Sequence, residues 1–263
     1  MKCFILSIGL LLTTASSTLA GPFEDGVEAY NLGNVSTAAR HFTEAAKKGI
    51  ASAQFNLGLL YHKGEGVSQD NGEALKWFQA AAEQGHANAQ HTLGLLYYKG
   101  EAVPQDYAAA VNWYRLAAEQ GHASAQLNLS AAYANGQGVQ QDTIEARKWL
   151  HLAAENGEAI AQSDLGTRYY FGDGVPQDFA KAVKWVRMAA NQGLADAQGK
   201  LGYNYLAGEG VPQDFVLAHM WLNLAAAQGI DAAANNRDLV AKKMTGEQVA
   251  EAQRLAREWK PSK

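Results

Sequence analysis

The sequence predicts an all-α fold, a solenoid of stacked antiparallel helix pairs, and three observations carry that prediction. The 263-residue chain is rich in Ala, Gly, Trp and Tyr and holds only five Pro, a composition that favours helices over strands. A seven-residue string recurs every 36 residues without insertion: GEGVSQD at 64–70, GEAVPQD at 100–106, GQGVQQD at 136–142, GDGVPQD at 172–178 and GEGVPQD at 208–214. On both sides of each string the recurring residues fall on one stripe of a 3.6-residue helix. A period of this length marks stacked units that are each too thin to bury their own large side chains.

Residues 1–20 read as a cleavable secretory signal. Lys2 precedes an apolar stretch from Phe4 to Leu12, and a small polar run ends in Thr18-Leu19-Ala20, so cleavage is expected after Ala20. A spanning helix needs about 20 consecutive apolar residues, and this stretch turns polar after Leu12, so no membrane span is expected after cleavage. Cys3 is the only cysteine, and its loss with the signal would leave no thiol for a disulfide. A periplasmic or secreted destination follows as an expectation.

Residues 21–49 read as an atypical N-terminal capping repeat. They keep Tyr30, Gly33, Ala38, Phe42 and the Ala45-Ala46 pair of the later units, lack the GxGVxQD string, and carry His41 at the Trp position.

Residues 50–229 hold five full repeats. In the first, Ala53, Gln54, Leu57, Gly58 and Tyr61 form the stripe of a helix A before the loop, and Ala74, Trp77, Phe78, Ala81 and Ala82 that of a helix B after it. Asp70, Asp106, Asp142, Asp178 and Asp214 stand where a carboxylate can cap helix B. Gly85 and its equivalents close helix B in the left-handed conformation. Gly58 and its equivalents lie mid-helix, where Gly costs about 1 kcal/mol against Ala, so a close approach between helices must compensate; Ser130 is the one substitute. The recurring Trp77, Trp113, Trp149, Trp185 and Trp221 are expected to be buried by stacking.

Residues 230–263 read as C-terminal capping helices. The register fades after Gly229, and Thr245 with Gln248 forms a capping box ahead of Val249, Ala252, Leu255 and Trp259.

With these residues placed, the pattern AxAQxxLGxxYxxGxGVxQDxxxAxxWxxxAAxQG resembles the Sel1-like repeat, a relative of the tetratricopeptide repeat, five times over 50–229. The resemblance implies right-handed stacking into a superhelix, a concave groove lined mainly by the A helices, and a role as protein-binding adaptor. In the tetratricopeptide family the groove is lined by positions matching 52, 55, 59, 62 and 63 here, which vary from repeat to repeat. The candidate protein-binding residues on that face are His62, Lys63, His91, Tyr98, Lys99, Tyr170, Phe171 and Tyr203. The tetratricopeptide carboxylate clamp needs a Lys where Phe55 stands, so that mode is not expected.

Other functions find little support. The net charge is −4 and no run of Lys or Arg forms a basic stripe, so nucleic acid is not an expected partner. HExxH, GxSxG, SxxK and P-loop patterns are missing, and a GxGV loop present in every unit is a structural turn rather than a phosphate cradle. His62 and His91 have no acidic or thiol ligand at metal-binding spacing, so neither metal nor cofactor is expected. A cysteine-rich branch of the resembled family is linked to β-lactam hydrolysis, but its paired cysteines are missing here, which leaves a hydrolase as a minor alternative. The expected role is a non-enzymatic, monomeric scaffold or adaptor in the bacterial cell envelope that binds a protein or peptide; a secreted host-interaction factor is the alternative.

Overall fold

The structure, a computed structural model, describes residues 21–262. The signal expected at residues 1–20 lies outside the described residues. Among those described there are fourteen α-helices and no strand, the all-α repeat fold that the 36-residue period predicts. The described residues form two compact units, 21–81 and 82–262. No helix among the described residues is long and apolar enough to cross a membrane.

The first unit contains α1 (Pro22–Asn31), α2 (Val35–Lys47), α3 (Ala51–Lys63) and most of α4 (Asn71–Glu83). Its core gathers Ala38, Phe42, Ala45, Ala46, Ala53, Leu57 and Leu60. The second unit contains α5 (Ala87–Lys99), α6 (Tyr107–Glu119), α7 (Ala123–Asn135), α8 (Thr143–Glu155), α9 (Ala159–Phe171), α10 (Phe179–Asn191), α11 (Ala195–Ala207), α12 (Phe215–Ala227), α13 (Asp231–Ala241) and α14 (Gly246–Glu258). Helices α5 to α13 pack on one another in chain order, and α14 returns to pack on α12.

The mid-helix glycines are where helix A meets helix B. A Cβ on Gly94 would lie 2.5 Å from the Tyr114 ring, and one on Gly202 would lie 2.7 Å from Leu222 Cγ. Ser130 takes the same position on α7 and donates its hydroxyl to the Ala146 carbonyl at 2.7 Å. Gly26 repeats this approach against Phe42 at 2.7 Å, so the atypical first pair is built on the same contact.

The expectation for the tryptophans needs correction. The residue facing each of these glycines on helix B is the one after the Trp, namely Phe78, Tyr114, Val186 and Leu222, and these, with Leu150 at the same position in the Ser130 unit, are each no more than 3% exposed. Trp77, Trp113, Trp149 and Trp185 are only half-buried. They sit 100° further round the helix, at the flank of the seam rather than in it. Trp221 is buried, with the Trp259 ring from the end of α14 edge-on at 5.9 Å.

Each residue of the recurring loop has a task. The first glycine ends helix A in the left-handed conformation, as Gly208 does at φ 74°. The second packs on the preceding helix B so closely that a Cβ on Gly210 would lie 2.1 Å from the Phe179 carbonyl oxygen. The glutamine then satisfies a last-turn carbonyl of helix A: Gln69, Gln105, Gln141, Gln177 and Gln213 each donate over 2.8 Å, to His62, Tyr98, Ala134, Tyr170 and Leu206. The aspartate caps helix B, with Asp106, Asp178 and Asp214 each accepting one backbone N–H at 2.9 Å.

Buried glutamines tie repeats together. Gln90, Gln126, Gln162 and Gln198 each donate to a carbonyl eight residues back in the preceding helix B. Each then accepts from Gln120, Asn156, Gln192 or Gln228 thirty residues on, at 2.7 to 2.9 Å. A buried amide with an unmade bond would cost about 1–3 kcal/mol, so the glutamine of every repeat is a packing requirement.

Candidate functional site

The second unit opens a cavity of about 430 Å³ between α9 and α11, floored by α10. Its shape follows from small residues at the helix seam. Gly166 lets α10 approach until a Cβ there would lie 2.6 Å from Val186, and Ala182 adds no bulk, so the floor is shallow and apolar. Tyr170 and Phe171 rise from α9 and Tyr203 from α11, with Thr167, Lys200 and Asn204 completing the wall.

The aromatic wall is braced. The Tyr170 ring meets Phe171 edge-on at 4.9 Å and Phe179 at 5.2 Å. Its hydroxyl donates to Glu209 Oε2. That hydrogen bond, reinforced by burial and by the carboxylate's charge, holds the Tyr170 hydroxyl protonated well above its usual range. Phe171 is nonetheless 71% exposed and Tyr203 44% exposed.

Lys200 is a tie between helices. Its ammonium donates to Ser163 Oγ at 3.0 Å and Thr167 Oγ1 at 2.9 Å, and pairs with Asp196 Oδ2 at 2.6 Å. An ammonium has three donors, and all three are used. The Ser163 hydroxyl in turn donates to Asp196 at 3.0 Å. The serine–lysine contact therefore fixes α9 against α11. The cavity offers rings, an apolar floor and fixed polar edges, which suits binding.

The sequence-derived candidates fall in different places. Tyr170, Phe171 and Tyr203 come together at this cavity. His62 and Lys63 belong to the first unit, where His62 Nδ1 is 3.1 Å from Asn71 Oδ1 and Lys63 is 3.8 Å from Glu65. Tyr98 and Lys99 end α5; Tyr98 meets the Tyr107 ring at 5.3 Å and Lys99 lies 3.7 Å from Glu101. His91 is buried between helices, 3.0 Å from Asn128 Nδ2 and with its ring 4.6 Å from that of His122. Burial, then the neighbouring His122, pushes His91 down to about 3, so it is neutral and presents no surface.

Sequence reasoning missed Lys200 and Glu209. Lys200 stands at a position that reads Asn56, Thr92, Asn128 and Asp164 in the other repeats, and that variation was an available signal. Glu209 lies inside the recurring loop and looked like part of a turn. Among the described residues no group of three or more His, Cys, Asp or Glu could hold a metal ion.

The Sel1 repeat matches the chain five times in succession, over residues 51–86, 87–122, 123–158, 159–194 and 195–230. Among solved structures the chain is similar to a Sel1 repeat protein from Oxalobacter formigenes, with 32% identity, a TM-score of 0.73, and 93% of this chain and 100% of that one covered. It also shares its fold with an immunity protein from Pseudomonas aeruginosa at 21% identity and a TM-score of 0.50, over 79% of this chain and 81% of that one. No curated protein matches the chain significantly.

Proposed function

The chain belongs to the Sel1 repeat family, and from that premise we propose that it is a non-enzymatic scaffold or adaptor of the bacterial cell envelope that holds a segment of a partner protein in the aromatic pocket between α9 and α11. Sel1 repeats generally mediate contacts between proteins. The observation that carries the pocket assignment is the exposure of Phe171 and Tyr203 beside a concave apolar floor. Large rings on a braced wall supply contact area at little entropic cost, and such residues dominate binding energy at protein interfaces. The envelope destination rests on the signal layout of residues 1–20.

The test is crosslinked capture from envelope extract with wild type, Phe171→Ala and Tyr203→Ala, each confirmed folded by circular dichroism. Each truncation removes an exposed ring worth about 2 kcal/mol in a central contact, so recovery of the partner should fall by at least tenfold. Recovery in wild-type amounts by both variants would remove the pocket from the account. Fractionation tests the destination: protein found in the medium and not in the periplasm would favour a secreted factor over an envelope adaptor.

A further inference from the structure

The geometry points to a cationic side chain, an arginine or lysine of the partner segment, as the occupant of the pocket between α9 and α11, with its charge meeting Glu209 and its stem lying against Phe171 and Tyr203. This inference rests on the pocket being the partner-binding site and adds the chemistry of what enters it.

The repeat supplies its own comparison. The residue after the first loop glycine is Glu65, Glu101, Gln137, Asp173 and Glu209 in the five units. Glu65 has Lys63 at 3.8 Å, Glu101 has Lys99 at 3.7 Å, and Asp173 has Arg168 at 3.2 Å. Gln137 carries no charge. Glu209 is the remaining acid of the series, and the position that holds Lys63 and Lys99 in the first two units is Ala207 in the last.

Glu209 is half-buried, and its carboxylate is met by the neutral Tyr170 hydroxyl. No ammonium or guanidinium lies within ion-pair distance of it among the described residues. Lys200, the cation in the pocket wall, is committed to Asp196, Ser163 and Thr167, so it cannot serve Glu209. The backbone of the loop is fixed by the buried Asn204, whose side chain reaches the Glu209 carbonyl at 3.4 Å. The carboxylate is therefore held at the hydroxyl end of Tyr170, a residue of the pocket wall that also carries the exposed rings of Phe171 and Tyr203, and ring faces attract cations by a quadrupole interaction that adds to the Coulomb term. A free anion or an acidic segment would meet an uncompensated like charge.

Three blocked tripeptides serve as probes: acetyl-Gly-Arg-Gly-amide, acetyl-Gly-Leu-Gly-amide and acetyl-Gly-Glu-Gly-amide, titrated into isotope-labelled protein while the backbone amides of Gly166, Thr167 and Tyr203 are followed by NMR. The arginine peptide should shift these amides with an affinity at least five times that of the other two. Glu209→Gln, which keeps an acceptor for Tyr170, should weaken it at least fivefold. Ala207→Lys, which restores the lysine of the first two units, should do the same by competition. If the leucine or glutamate peptide binds as tightly as the arginine peptide, or if both variants leave its affinity unchanged, the cationic occupant is wrong while the pocket remains a binding site. If no peptide shifts the pocket amides, the pocket assignment falls as well.

Discussion

Gly199 and Gly202 lie three residues apart on α11 and should respond to the same substitution with opposite signs. Both are mid-helix, so replacing either with Ala gains about 1 kcal/mol of helix propensity. A Cβ on Gly199 would have Ala225 Cβ at 3.7 Å and Ala233 Cβ at 3.9 Å as neighbours, which is ordinary contact. Nothing opposes the propensity gain, and Gly199→Ala should stabilise the protein by about 1 kcal/mol. A Cβ on Gly202 would lie 2.7 Å from Leu222 Cγ and 3.0 Å from the Leu222 backbone nitrogen. Leu222 is 1% exposed and has nowhere to turn. The helices must part, and overpacking of this kind costs about 1–3 kcal/mol, to which the loosened seam adds, so Gly202→Ala should destabilise by about 1–2 kcal/mol after the propensity gain. Urea unfolding followed by circular dichroism would place the two midpoints on either side of wild type. Midpoints displaced in the same direction would refute the claim that the mid-helix glycine exists for close helix approach.

Further outcomes follow from the same packing. Ala102 replaces the second loop glycine of its unit and is the one non-glycine residue with positive φ among those described, at 64°; Ala102→Gly should stabilise by about 0.5–1 kcal/mol, the left-handed penalty less the entropy of glycine in the unfolded chain, as a raised urea midpoint. Leu150→Ala should cost about 2–5 kcal/mol, and Trp149→Ala, at the half-exposed flank, about 1–2 kcal/mol, so an unfolding series that ranked the tryptophan higher would contradict the seam geometry. Acid should weaken the second unit through His91, which burial keeps neutral at a value of about 3 against an ordinary 6.5. The unfolded state therefore binds the proton first, and stability is full above pH 6.5 and lost as pH falls from there toward 3. His122 adds to this, because its Nδ1 must be unprotonated to accept the Ala125 N–H at 3.1 Å. Urea midpoints across that range should fall with pH, and His91→Gln should flatten the slope.

The repeat was legible because the residues that build it recur for physical reasons. Gln54, Gly58, the loop glycines, Gln69 and Asp70 each satisfy or expose a backbone group at a fixed point of the helix pair, so their identity recurs in all five units with two departures, Ser130 and Ala102. The tryptophans misled because invariance suggested the core, whereas the seam residue varies among Phe78, Tyr114, Leu150, Val186 and Leu222. Only contact with the opposing glycine constrains that position, and several shapes meet it. The aromatic members of the pocket were legible as departures from the repeat on the varying face of helix A. Its depth was not, since it depends on how Gly166 and Ala182 set the height of α10. Nor was the isolation of Glu209 visible in the loop string, because it comes from the alanine two residues earlier and from the commitment of Lys200 elsewhere. His91 shared the phase of the candidate face, yet the approach of Asn128 and His122 placed it inside the packing.

The central claim, that a partner segment sits in the pocket between α9 and α11, is tested most directly by placing a photo-crosslinking amino acid at position 171 or at position 144 of the protein in its own host cells. Phe171 and Ile144 are equally exposed, at 71% each, so solvent access is matched and only the site differs. The account predicts a discrete adduct from position 171 that is lost on Tyr203→Ala, with none from position 144. The same adducts from both positions, or an adduct from position 171 that survives Tyr203→Ala, would contradict it.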